Sequence, residues 1–206
     1  MKLISRALLG SVLLVALTGC QTAYYSAMEQ VGVHKRDILV DRVVDARDSQ
    51  AEAQEQFQDA LEQFRSVVQF DGGQLDKVYN ALKAEYDDSV DAASDVRNRI
   101  EKVESVAEDL FEEWNEELEK YSSRDLRNQS ARKLRETRQR YAELLRSMKR
   151  AEKRMDPVLS SLQDNVLYLK HNLNARAIGA LKGEFSGMRQ EINLLMRDMQ
   201  LAIKES

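Results

Sequence analysis

Residues 75–121 read LDKVYNALKAEYDDSVDAASDVRNRIEKVESVAEDLFEEWNEELEKY, and this stretch decides the fold. Two rows of mostly apolar or small side chains run along it, each with a period of seven residues. The rows are Leu75, Leu82, Ser89, Val96, Val103, Leu110 and Glu117, and Tyr79, Tyr86, Ala93, Ile100, Ala107, Trp114 and Tyr121. This spacing predicts an α-helix roughly 70 Å long whose narrow stripe is covered by other helices.

A similar stripe precedes this helix and stops at Asp71-Gly72-Gly73. Its members are Leu39, Val43, Ala46, Ala53, Phe57, Ala60, Phe64 and Val67. Paired glycines end helices and reverse the chain, so we expect a turn there. A second reversal is expected at Ser122-Ser123, with Ser123 as the N-cap of the following helix.

The position of a third reversal is open. The stripe after Ser123 continues from Leu134 to Leu173 and passes through Asp156-Pro157. Proline either starts a new helix, with Asp156 as its cap, or kinks a continuous one. Matching helix lengths favour a turn near Asn172-Leu173-Asn174 instead, which would give an up-down-up-down bundle. The two alternatives carry equal weight.

The composition restricts the fold class. The chain of 206 residues has one proline and eight glycines, and it is rich in strong helix formers. Its apolar residues recur three and four positions apart, as in helices. We therefore predict an all-α fold, an elongated antiparallel helical bundle or coiled coil of three to four long helices, over residues 34–206.

The first twenty residues have the pattern of a lipoprotein signal. Lys2 and Arg6 precede an apolar run, residues 7–17, that is too short for a stable membrane span. Leu17-Thr18-Gly19-Cys20 follows and resembles the lipobox of bacterial lipoproteins. We therefore expect cleavage between Gly19 and Cys20, lipidation of Cys20, a signal peptide over residues 1–19 and a tether over residues 20–33.

The resemblance to lipoproteins also implies a location. Cys20 is the only cysteine, so no disulfide within the chain is expected. The residue after the lipidated cysteine is Gln21 rather than the aspartate that favours inner-membrane retention. We expect a protein anchored to the outer membrane by its lipid, with its body facing the periplasm.

Charge is unevenly distributed along the chain. Residues 74–121 hold fifteen acidic and six basic side chains, whereas residues 124–154 hold twelve basic and four acidic ones. Folding back at Ser122-Ser123 would bring Glu112 and Glu113 near Arg132 and Lys133, so that neighbouring helices neutralise each other. With a net charge of −4 and an exported location, we expect no nucleic-acid partner.

The sequence offers little for catalysis. His34 and His171 are isolated in sequence, and no phosphate-binding loop ending in Gly-Lys-Ser/Thr is present. The acidic residues Asp41, Asp45, Asp48 and Glu52 recur at helical spacing, which is more typical of a solvated face than of a metal site. We expect no catalytic residues, no metal and no cofactor.

A row of small residues is the most specific local feature. Ala175, Gly179, Gly183 and Gly187 fall four apart in a helical segment, where each glycine costs about 1 kcal/mol relative to alanine. One interpretation is a close-packing interface with another helix, more often of the same chain than of a partner. The alternative is a loosened helix near a turn.

A family resemblance is carried by residues 168–184, YLKHNLNARAIGALKGE, together with Tyr24-Tyr25 and Arg154-Met155-Asp156-Pro157-Val158-Leu159. These segments resemble the DUF2959 family of bacterial proteins, over nearly all of the chain after the signal. That family implies no established function.

Two roles follow as expectations. The first is a non-catalytic scaffold or adaptor of the cell envelope, with an envelope protein or a second copy as partner. The alternative is a binding module, in which an amphipathic bundle holds a lipid, a peptide or a client protein.

Overall fold

The structure is a computed structural model that describes residues 34–70, 72–172 and 174–206. In this part of the chain 92% of the residues are helical and none lies in a strand. The four helices are α1 (Lys35–Val68), α2 (Leu75–Leu118), α3 (Arg124–His171) and α4 (Ala175–Glu205). The predicted all-α class is therefore confirmed. None of these helices is long and apolar enough to cross a membrane.

Two reversals lie where the sequence predicts them. Between α1 and α2, Gly72 and Gly73 have φ angles of +151° and +130°, which residues with a Cβ atom rarely adopt. Between α2 and α3, Ser123 caps the incoming helix: its Oγ accepts a hydrogen bond from the Leu126 amide at 3.4 Å.

The third reversal lies at residues 172–174, so the alternative of a turn at Pro157 is wrong. α3 continues through Pro157 and ends at His171. Asn174 caps α4, with its side-chain oxygen accepting from the amides of Arg176 and Ala177. Proline costs a helix interior about 3 kcal/mol, but Met155 and Val158 are fully buried on either side of it. Burying two such side chains offsets that cost.

The described chain divides into two compact units. The larger unit comprises Arg42–Glu104 and Arg135–Ser206, and the smaller unit comprises Ser105–Leu134 and the described residues up to Asp41. Each unit is described by itself below.

In the larger unit, ion pairs between neighbouring helices show an antiparallel arrangement. Going up α2 from Arg97 to Glu104, the partners on α3 go down from Asp156 to Lys149. α1 and α2 are related in the same way. Asp45 pairs with Arg99 at 3.4 Å, and Gln56 donates to Glu85 at 2.9 Å.

The core of the larger unit is built mainly from the predicted stripes. The rings of Phe64 on α1 and Phe185 on α4 stack with their centroids 6.0 Å apart. The largest fully buried side chains are Phe57, Phe64, Leu82, Ile100, Met148, Met155, Leu162, Leu169, Leu181, Met188, Ile192 and Leu195. Burial of such side chains, at about 1.5–3 kcal/mol each, is the main stabilising contribution.

The smaller unit has a shorter core. Ile38 is buried against Val106, with Leu39 packed on them, and Phe111 and Leu134 are also buried. The two seven-residue rows of α2 are not buried along their whole length, since their last members, Glu117 and Tyr121, are exposed. A helix has 3.6 residues per turn and drifts about 20° per heptad from a period of 3.5, so the buried stripe moves toward Val106 and Phe111.

Candidate functional site

The predicted lipidation site lies outside the described residues. Gly19, Cys20 and the rest of the signal peptide and tether, residues 1–33, belong to this part of the chain. The lipid anchor therefore remains a prediction from the sequence.

The glycine row of α4 faces open space. A Cβ atom added at Gly179, Gly183 or Gly187 would meet no atom within 4 Å outside its own helical backbone and chain neighbours. All three residues are exposed, whereas Leu181 and Met188 on the opposite side of α4 are buried. The side chain of Ala175 is not among those described.

No described helix packs directly against the three glycines, since an added Cβ would be free of contacts within 4 Å. The close-packing interface expected over Ala175, Gly179, Gly183 and Gly187 stays a prediction.

The two oppositely charged helices meet, but Glu113 takes its ion pair from a third helix. Glu113 is bound at 2.8 Å by Lys35 of α1, and neither Arg132 nor Lys133 has a carboxylate partner within 4 Å in the described chain. Trp114 on α2 donates a hydrogen bond to Ser130 on α3 at 2.8 Å, so the two helices lie side by side at this point, as the predicted reversal requires. Within the described chain, however, Glu112 and Glu113 form no ion pair with Arg132 or Lys133. The Glu113 side chain points toward α1. The net charges of α2 and α3 do not indicate which helix a given side chain faces.

Opposite charges do meet elsewhere along α2 and α3. Arg127 pairs with Glu119 in the smaller unit, and Lys149 pairs with Glu104 in the larger one. Arg97 binds Glu152 and Asp156, with the basic residue on α2 and the acidic ones on α3. The two helices therefore neutralise each other only in part. Some pairs join an acidic residue of α2 to a basic residue of α3, and others join a basic residue of α2 to acidic residues of α3.

Lys35 is the most deeply buried charged side chain among the described residues of the smaller unit, 8% exposed, and no sequence pattern indicates it. It lies close enough to Asp109 to affect its titration. Partial burial raises the pKa of Asp109 above its ordinary value, Lys35 opposes this rise, and the neighbouring Glu108 adds to it.

Gln50 of α1 is a second feature that the sequence analysis missed. Its side chain is completely buried, yet neither its Nε2 nor its Oε1 has a hydrogen-bond partner among the described residues. It lies four residues after Ala46 and three before Ala53, so helical spacing alone places it on the buried stripe. An unpaired amide in a core costs about 1–3 kcal/mol.

A family profile matches this chain over residues 24–206. Its description is a protein of unknown function, DUF2959. The chain belongs to the DUF2959 family. Comparisons with curated proteins and with solved structures found no match.

In this DUF2959 protein the residues considered for catalysis or metal binding are dispersed. Asp45 is held by Arg42 and Arg99, and nowhere in the described ranges do three or more His, Cys, Asp or Glu side chains gather as metal ligands. His171 is exposed at the end of α3 and makes no side-chain hydrogen bond within the described structure. The side chain that caps α4 is that of Asn174.

Beside the first turn of this DUF2959 chain, the described residues form a hollow whose wall is partly apolar and partly polar. The hollow is open to solvent, and Phe70, Leu75 and Ile178 line it together with glycines and the charged Lys182. Phe70 and Leu75 are half-buried, so apolar surface is accessible there.

Proposed function

We propose that this DUF2959 protein is a non-catalytic scaffold or adaptor of the cell envelope, anchored by a lipid on Cys20 and facing the periplasm from the outer membrane. The observation that carries the proposal is Leu17-Thr18-Gly19-Cys20 directly after a short apolar run with basic residues before it. Two or three acyl chains hold a protein firmly, whereas one binds only marginally.

The helices supply a suitable framework for such a role. α2 and α3 have 44 and 48 residues, or about 66 and 72 Å of helix each. Their outward side chains are mostly charged, which suits contacts with other polar surfaces.

Metabolic labelling with radioactive palmitate tests the anchor. The wild-type protein should incorporate label and stay in the membrane fraction after a salt wash, whereas Cys20→Ser should incorporate none. Ser11→Ala, a change within the apolar run, is the matched control and should label normally. An unlabelled wild-type protein that washes off with salt would contradict the anchored location.

Substitutions that spare the packing separate a scaffold from an enzyme. His171→Ala removes an imidazole that has no described hydrogen bond, so a scaffold should keep its crosslinked partners in cells. Asp156 is unsuitable for this purpose, because it binds Arg97. Loss of function in His171→Ala with stability and crosslinks unchanged would favour catalysis.

A binding module is the second candidate, and the hollow beside the first turn favours it, because Phe70, Leu75 and Ile178 offer apolar surface next to the cationic Lys182. Leu75→Gln makes this hollow more polar at a half-buried position. A fluorescent fatty acid should bind the wild-type protein and bind Leu75→Gln more weakly. Equal binding by the two proteins would remove the hollow as the site.

A further inference from the structure

The outer face of α3 carries a row of basic side chains that the rest of the larger unit leaves unpaired. Arg146, Arg150 and Lys153 are exposed, and none has a carboxylate within 4 Å in the described structure. Their spacing of four and three residues places them on one face, opposite the buried Met148 and Met155. We call these three residues the basic row.

The outer face of α2 carries an acidic row in the smaller unit. Glu108, Glu112 and Glu116 are exposed, lie four residues apart and have no ion pair among the described side chains. No lysine or arginine occurs between residues 103 and 119. We call these three glutamates the acidic row.

The two rows match in length as well as in charge. With a rise of 1.5 Å per residue, Arg146 to Lys153 spans about 10 Å and Glu108 to Glu116 about 12 Å. Three positive charges on one helix can therefore face three negative charges on another without a gap. Arg146 and Arg150 present planar guanidinium groups that bind carboxylates through two hydrogen bonds.

We propose that the basic row of one copy of this protein docks on the acidic row of a second copy. A second copy offers a partner for both rows, because every molecule carries one of each. An anionic membrane would attract the basic row and repel the acidic one. Along Arg135–Lys153 no large apolar side chain is exposed that could insert into lipid.

The contact involves only α2 and α3 and does not require the lipid anchor. Contacts of this kind weaken as salt screens them, and they govern orientation and association rate. The association should be strong at low ionic strength and weak at high ionic strength.

Charge reversal and mixing test the contact. The full chain, purified in mild detergent, should form dimers or larger assemblies in analytical ultracentrifugation at low salt and dissociate at high salt. Arg146→Glu/Arg150→Glu and Glu108→Lys/Glu112→Lys should each weaken self-association at least about tenfold. An equimolar mixture of the two variants should associate again, since one variant then carries two mainly acidic rows and the other two mainly basic rows.

Control variants keep the test decisive. Lys182→Glu/Arg189→Glu changes the net charge by as much as Arg146→Glu/Arg150→Glu does, at exposed sites of α4, and should associate like the wild-type protein. Circular dichroism should show equal helix content in all variants, because every changed side chain is exposed. A monomeric wild-type protein at low salt, or a mixture that fails to associate, would overturn the proposal.

Vesicles test the rival occupant. We compare binding to anionic phosphatidylglycerol vesicles with binding to neutral phosphatidylcholine vesicles. The wild-type protein should prefer phosphatidylglycerol no more strongly than Arg146→Glu/Arg150→Glu does. A preference for phosphatidylglycerol that only the wild-type protein shows would assign the basic row to lipid and overturn the dimer contact.

Discussion

Replacing Gly183 with Ala should stabilise the protein, although glycine occupies this position in the natural sequence. Gly183 lies inside α4, and a Cβ added there meets nothing within 4 Å. The methyl group therefore causes no clash, and the unfolded chain loses conformational freedom. The expected gain is about 0.8–1 kcal/mol, the difference in helix propensity between glycine and alanine.

The same argument applies to Gly179 and Gly187, whose added Cβ atoms also meet open space. If the three changes are additive, the triple alanine variant should gain about 2.5–3 kcal/mol. For a chain of this size the melting temperature should rise by about 5–12 °C. Urea unfolding followed by circular dichroism measures the gain, and the slope m should not change.

Gly72→Ala is the matched control. A Cβ at Gly72 also meets nothing within 4 Å, but its φ of +151° is unfavourable for alanine. The free energy of unfolding of this variant should fall by about 1–3 kcal/mol. The comparison distinguishes the effect of an unfavourable backbone conformation from the effect of a steric clash. A loss of stability in Gly183→Ala would refute the reasoning, because it would require a close neighbour.

Gly183→Leu distinguishes a neighbour in the chain from a separate partner. Forcing apart two closely packed helices of one chain would cost about 1–3 kcal/mol, whereas the open surface predicts no such loss. If a partner packs on the glycine row, the variant should stay folded and lose its crosslinks to that partner. Unchanged stability together with unchanged crosslinks would leave no support for an interface there.

Three further predictions follow from individual side chains. Gln50→Met should raise the free energy of unfolding in urea by about 1–3 kcal/mol, because it removes a buried amide without a described hydrogen-bond partner. A lower free energy of unfolding would show that the amide is hydrogen-bonded. Ser130→Ala removes the acceptor of the Trp114 Nε1 hydrogen bond at 2.8 Å. The free energy of unfolding should fall by about 0.5–1.5 kcal/mol, and the fluorescence emission of this single tryptophan should shift. Unchanged emission would contradict the contact. The raised pKa of Asp109 means that the folded state binds this proton more tightly than the unfolded state, so its linked stability falls as pH rises through the carboxylate range. Asp109→Asn should therefore be more stable than the wild-type protein at neutral pH, with an advantage that disappears below about pH 3; a lower stability at neutral pH would show that attraction to Lys35 dominates.

Local patterns in the sequence determine the helices and two of the three turns. The stripes of α1 and α2 recur at helical spacing, the paired glycines at Gly72-Gly73 supply the positive φ angles of the first turn, and Ser123 supplies the cap of α3. These signals act over one or two turns of helix, so they are legible without knowing what the helix packs against.

The tertiary structure decides which face of each helix meets another. Pro157 stays within α3 because the side chains around it are buried, and Lys35 rather than Arg132 or Lys133 binds Glu113. The glycines of α4 face open space, and the amide of Gln50 is enclosed. Periodicity places residues on a common face, but burial, ion pairing and exposure depend on the rotation and register of neighbouring helices, which are set by contacts between residues far apart in the chain.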